Sequence, residues 1–140
     1  MTRRAGFEPV EHTADLAVRA WGEGLAELIE QAARGMLSLM LEDPPQATDT
    51  VEVTGEGADP EDLLIDCLRE ILALIELRGL VPVSVDVLGA DESRAACAVG
   101  VVELEAGREN IAQDVKAVTY HGVEVRSVNG LLEVEVVFDV

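Results

Sequence analysis

The chain has 140 residues, 49% of them hydrophobic, and a formal net charge of −18 from 28 acidic against 10 basic side chains. That length suits a single domain, 1-140, with a core large enough to fold without disulfide or metal staples. The charge repels a phosphate backbone, so direct nucleic-acid binding is disfavoured; the acidity serves either solubility or a basic partner or bound cations. The longest apolar stretches, 71–75 and 95–102, fall far short of the roughly 20 residues of a membrane span. The basic start Met1-Thr2-Arg3-Arg4 leads into Glu8 and Glu11 with no apolar segment, so no secretory signal and a cytoplasmic protein are expected.

In chain order, 15–21 reads as a strand, with Leu16, Val18 and Ala20 on one face and Asp15, Ala17 and Arg19 on the other. Gly22 and Gly24 break it. Leu25, Leu28, Ile29, Ala32, Met36, Leu39 and Met40 then recur at helical spacing until Pro44-Pro45. A short strand over 50–54 ends at Gly55-Glu56-Gly57. The second helix has a well-written start: Asp59 as cap, Pro60 in the first turn, and Glu61 and Asp62 at the positive end of the dipole. Gly79 closes it.

From Leu80 the period changes to two through four predicted strands, 81–88, 95–104, 117–126 and 131–139. Asn129-Gly130 joins the last two as a two-residue hairpin turn. In the final strand Leu132, Val134, Val136 and Phe138 share a face, which leaves Glu133, Glu135, Val137 and Asp139 pointing the other way. The order of elements predicts an α+β sandwich, two main helices packed against a largely antiparallel sheet. Cys67 and Cys97 lack a C-x-x-C partner or a neighbouring histidine ligand, so both are expected as reduced core residues.

Reactive side chains gather in three short stretches: Glu11-His12-Thr13-Ala14-Asp15, Lys116-Ala117-Val118-Thr119-Tyr120-His121, and the terminal Asp139-Val140. Lys116 is the single lysine among ten basic residues, and its compact ammonium can meet a phosphate or carboxylate as a point charge. Asp139 beside the α-carboxylate of Val140 offers hard oxygens, to which Asp15 adds another if the strands that carry them lie side by side; such a set suits calcium, magnesium or manganese better than zinc. Blander roles stand beside these. His12 can make a turn hydrogen bond with Thr13, Asp15 can pair with Arg19, Asp139 can be a solvated chain end, and His121 with Gly122 can mark a strand bulge. The sequence has no phosphate-binding glycine loop and no nucleophile elbow, and the two cysteines sit in apolar patterns that would raise a thiol pKa. A divalent-metal hydrolase built on Asp15 and Asp139 would lack a positioned general base.

These three stretches, with Trp21-Gly22, Gln31-Ala32-Ala33 and Asp62-Leu63-Leu64-Ile65-Asp66, occur in the order and at about the spacing of the archease family, which the chain resembles nearly end to end. The resemblance implies an archease-like fold and a non-enzymatic role as activator of an RtcB-type RNA ligase in tRNA splicing or RNA repair. In that role it would promote guanylylation of the ligase and multiple turnover. It further implies a divalent ion, calcium first with magnesium or manganese as alternatives, held by Asp15, Asp139 and the main-chain oxygens of Val140. Lys116 matches a lysine linked to activation, His12 adjoins the metal motif, and Tyr120 and His121 would support them. A chaperone-like or modulatory binding module for other nucleic-acid-processing enzymes is the alternative. The chain departs from the family at Cys67 and Ala73, where tryptophan and tyrosine are common.

Overall fold

The computed structural model describes residues 4–10 and 15–140. Its elements are β1 (Gly6–Val10), β2 (Leu16–Gly22), α1 (Leu25–Met40), β3 (Asp49–Glu56), α2 (Pro60–Arg78), β4 (Leu80–Ala90), β5 (Arg94–Glu103), a one-turn α3 (Leu104–Gly107) running into a 3-10 turn (Arg108–Asn110), β6 (Ala117–Val118), β7 (Arg126–Val128) and β8 (Leu131–Asp139). The strands form two antiparallel sheets. The larger is ordered β1-β2-β8-β6, with β7 also on β8, and the smaller β3-β5-β4. Each long helix meets both sheets: α1 lies against β1, β2 and β8 on one side and β4 on the other, and α2 against β3, β4, β5 and β6. The α+β sandwich read from the sequence is thus present, with its strands divided between two sheets.

Local chemistry accounts for the helix ends. Asp59 is extended and its side chain accepts from the Asp62 N–H at 2.8 Å, Pro60 occupies the first turn, and Gly79 closes α2 in the left-handed region at φ 62°. Helix α1 has no side-chain cap at Gly24; instead Glu27, in its first turn, accepts from the Glu23 N–H at 2.8 Å. The inward faces of both helices fill the core with Leu28, Ile29, Met36, Met40, Leu63, Leu64, Ile65, Leu68 and Ile71, all essentially without exposure. Side chains of α1 also satisfy the outer edge of β4. Glu30 accepts from the Val87 N–H at 2.9 Å, and Arg34 donates to the Val85 carbonyl at 3.3 Å, which blunts that edge against pairing with another chain.

Three strand expectations need correction. The segment 117–126 is strand only at Ala117–Val118, and 126 opens the separate β7. Between them Thr119 takes the His121 N–H on its hydroxyl while the Tyr120 carbonyl accepts from Val123 N–H, with Gly122 at φ 66°. That is a turn with its glycine at the position needing positive φ, so Gly122 marks a reversal of the chain and not a strand bulge. Strand β1 was not anticipated; Pro9 weakens its pattern, and an edge position tolerates the missing N–H. Val137, expected to face outward, is 4% exposed and lies directly opposite buried Ala17. The Asn129-Gly130 turn is as read, with φ of 52° and 81° between paired Val128 and Leu131.

The larger sheet turns on Phe138, fully buried and paired with Leu16 of β2 and Val118 of β6. Replacing it with alanine is expected to cost roughly 3–5 kcal/mol in urea unfolding, whereas Leu77→Ala, at a side chain that is 79% exposed, should stay within about 0.5 kcal/mol. Similar losses for the two would show that the core is not centred on β8.

Candidate functional site at the chain end

The site is built around the last residues of β8. On one side β2 runs antiparallel to it, with Leu16 opposite Phe138 as the final registered pair; Asp15 immediately precedes β2 and Asp139 is the last residue of β8. On the other side Ala117 of β6 is paired with Asp139, and the Lys116 N–H donates to the Asp139 carbonyl at 2.8 Å. Residues separated by most of the chain therefore converge. Asp139, Val140, Lys116, Tyr120 and His121 are exposed, and Asp15 is half-buried. His12 lies outside the described residues. No three His, Cys, Asp or Glu side chains converge as a metal cluster among the described residues.

The run after Lys116 is fastened to α2. Thr119 accounts for two bonds to β8, its N–H and its hydroxyl both donating to the Val137 carbonyl at 3.0 Å. The Tyr120 hydroxyl donates to Asp62 Oδ1 at 2.9 Å, and the Arg69 guanidinium stands 5.0 Å over the tyrosine ring. Arg69 also donates through Nη2 and Nε to the Val118 carbonyl at 3.0 and 3.3 Å. Further on, the Val125 N–H meets Glu61 Oε2 at 2.6 Å. Partial burial, followed by the hydrogen bond to the Asp62 carboxylate, pushes the Tyr120 phenol above its ordinary value.

Asp62 and Asp66 thus have visible structural work. Asp62 anchors Tyr120, and Asp66 accepts from the Glu56 N–H at 2.8 Å, tying α2 to the end of β3. The sequence reading did not single out Glu61, Asp62 and Arg69 as supports of the Lys116 run. The one signal available was that Asp62 and Arg69 lie two helical turns apart, on the same side of α2. Arg19, considered as a partner for Asp15, pairs with Glu8 at 2.9 Å and has Glu133 and Glu135 each at 3.7 Å. Beside this face His121, Gly122, Glu124, Arg126, Glu135 and Val137 line a polar cleft of about 330 Å³.

Two antiparallel sheets, two long helices and an acidic chain end flanked by a lysine-bearing run define a small α+β protein of a recognisable type. The family model for the "Archease protein family (MTH1598/TM1083)" matches residues 7–140, and the chain belongs to the archease family. Among its relatives, Protein archease of Methanopyrus kandleri is 32% identical over 137 residues, covering 95% of this chain and 98% of the relative. Protein archease of Danio rerio is 33% identical over 123 residues, 85% of this chain and 76% of that one. The solution structure of Methanobacterium thermoautotrophicum protein 1598 superposes with a TM-score of 0.70 at 28% identity, covering 96% of this chain and 99% of the other. The crystal structure of TM1083 from Thermotoga maritima, an archease described as a possible chaperone, gives 0.65 at 25% identity, covering 95% and 96%.

The Tyr120 to Asp62 bond needs the phenol proton, so its contribution is complete below the ordinary tyrosine pKa and fades as pH rises through the higher folded value. Tyr120→Phe is expected to lower stability at pH 7 by about 1 kcal/mol or less, with the gap from wild type narrowing in strongly alkaline solution. A gap that widens with pH would reverse the sign and remove this bond as its cause.

Proposed function

We propose that this archease is an accessory protein of an RtcB-type RNA ligase, promoting ligase guanylylation and multiple turnover in tRNA splicing or RNA repair. Two observations support the reading: Leu16, next to Asp15, pairs with Phe138, next to Asp139, and the Lys116 N–H donates to the Asp139 carbonyl at the same end of the larger sheet. Aspartate carboxylates and main-chain carbonyls are hard oxygen donors, and they fit calcium first, magnesium or manganese next, far better than a thiophilic metal. Asp15, Asp139 and the main-chain oxygens of Val140 would hold the ion; the Asp139 carbonyl already accepts the Lys116 N–H. When bound, a divalent cation supplies positive charge at a rim otherwise crowded with carboxylates.

Lys116 is exposed beside Asp139, with its backbone fixed by β8. Its ammonium would orient a phosphate or carboxylate of the ligase's nucleotide site, with His12 adjoining the metal motif and Tyr120 and His121 supporting the run. The net charge of −18 favours encounter with the basic face of an RNA-handling enzyme and disfavours a grip on RNA itself. The chain's part is to dock and position, in the cytoplasm, while the ligase performs the chemistry. Among the described residues, no helix is long and apolar enough to cross a membrane.

The test is formation of ligase-GMP by a cognate RtcB-type ligase with nucleotide and manganese, with and without this protein. Wild type should accelerate it, and Lys116→Ala or Asp139→Asn should fall back toward the rate of the ligase alone, by tenfold or more, with folding unchanged by circular dichroism. Equal stimulation by the variants would remove those residues from the mechanism. The description of TM1083 as a possible chaperone favours a second reading, a modulatory binding module. Stabilisation of a client outside RNA ligation, with no effect on ligase-GMP, would select it.

A further inference from the structure

Cys67 and Cys97 stand 30 positions apart in the sequence, and both are free and buried with 0% exposure. Helix α2 rests so closely on β3 at Gly55 that a Cβ there would collide with the Cys67 sulfur and lie 2.9 Å from its backbone nitrogen. The missing side chain lets the Cys67 thiol descend to the level of the smaller sheet. In that sheet Gly55 is opposite Ala95 and Val53 opposite Cys97; Val53, Ala95 and Cys97 are all buried. Cys97 is therefore the next residue of β5 on that face after the one paired with Gly55. The neighbouring Cys97 thiol, ahead of burial, pushes Cys67 up, and Cys67 in turn draws Cys97 down. With two sulfurs and no metal cluster among the described residues, the pair lacks the four ligands of a structural zinc site.

We propose that Cys67 and Cys97 are an oxidation site, at which a peroxide closes an intramolecular disulfide between α2 and β5. One sulfur attacks the O–O bond and becomes a sulfenic acid with release of water; the other displaces that hydroxyl as a second water. Two thiols thus lose two protons and two electrons, and hydrogen peroxide is reduced to two waters. The bond ties down the helix whose Asp62 and Arg69 hold the Lys116 run. It also shortens the unfolded chain across the loop from 67 to 97, which is expected to raise Tm by roughly 10 °C.

The full chain is treated with hydrogen peroxide, both folded and during refolding from urea, then denatured, alkylated with N-ethylmaleimide and weighed by intact-mass spectrometry. The refolding arm separates slow access to buried sulfurs from a geometry that cannot close. Expected are loss of two hydrogens, no maleimide adducts, a raised Tm, and reversal of all three by dithiothreitol. The Cys97→Ser variant should show no such Tm increase under peroxide. Two alkylatable thiols remaining in both arms, sulfinic or sulfonic products at either cysteine, or disulfide-linked dimers in place of the internal bond would overturn the proposal.

Discussion

The pairing of β2 with β8 is the constraint on which the rest depends. Seven consecutive residue pairs, from Leu16 opposite Phe138 to Gly22 opposite Leu132, bring an early strand beside the last one, a connection that no local propensity could make. Burial holds it: Val18, Ala20, Val134, Val136 and Phe138 are all at 1% exposure or less and pack under α1. A slip of one residue would turn those side chains outward, so the register is strongly specified. The consequence at the chain end is direct, because the pairing of Leu16 with Phe138 brings their chain neighbours Asp15 and Asp139 to the same end of the larger sheet.

The other half of the site depends on α2. Two residues of β6 would hold a ten-residue segment poorly, and most of the segment is not strand at all. Its position comes from polar bonds of high sequence separation: Tyr120 to Asp62, Arg69 to Val118 and Glu61 to Val125. Tyr120 is 47% exposed, so its ring contributes less through burial than through being clamped between a carboxylate and a guanidinium. Lys116, next to this fastened turn, is exposed, and its N–H is held by the Asp139 carbonyl.

Legibility followed the range of the interaction. Helix α2 was plain in the sequence because Asp59, Pro60 and Gly79 act on their immediate neighbours, and the hairpin turn was plain because Asn129-Gly130 supplies both positive φ angles itself. Alternation placed Asp139 outward correctly and misplaced Val137, since Ala17 opposite it makes a buried apolar spot on the outward face. The 117–126 segment misled because Val118, Tyr120, Val123 and Val125 resemble a strand, while the deciding chemistry, the Thr119 hydroxyl and Gly122, is turn chemistry. Strand partners, the division into two sheets and the meeting of Cys67 with Cys97 are set by contacts across tens of residues and leave no local trace. The candidates Asp15, Lys116 and Asp139 were singled out by pattern, whereas Arg69 and Glu61, which fasten the run after Lys116, became visible only through their hydrogen bonds.

The most direct measurement is a calorimetric titration of calcium into the wild type, Asp15→Asn, Asp139→Asn and the double variant. If both carboxylates hold one ion, wild type binds a single equivalent, each substitution weakens it by tenfold or more, and the double variant loses much less than the sum of the two single effects. No binding to wild type, or an affinity unchanged by Asp15→Asn, would contradict a shared cation at the chain end.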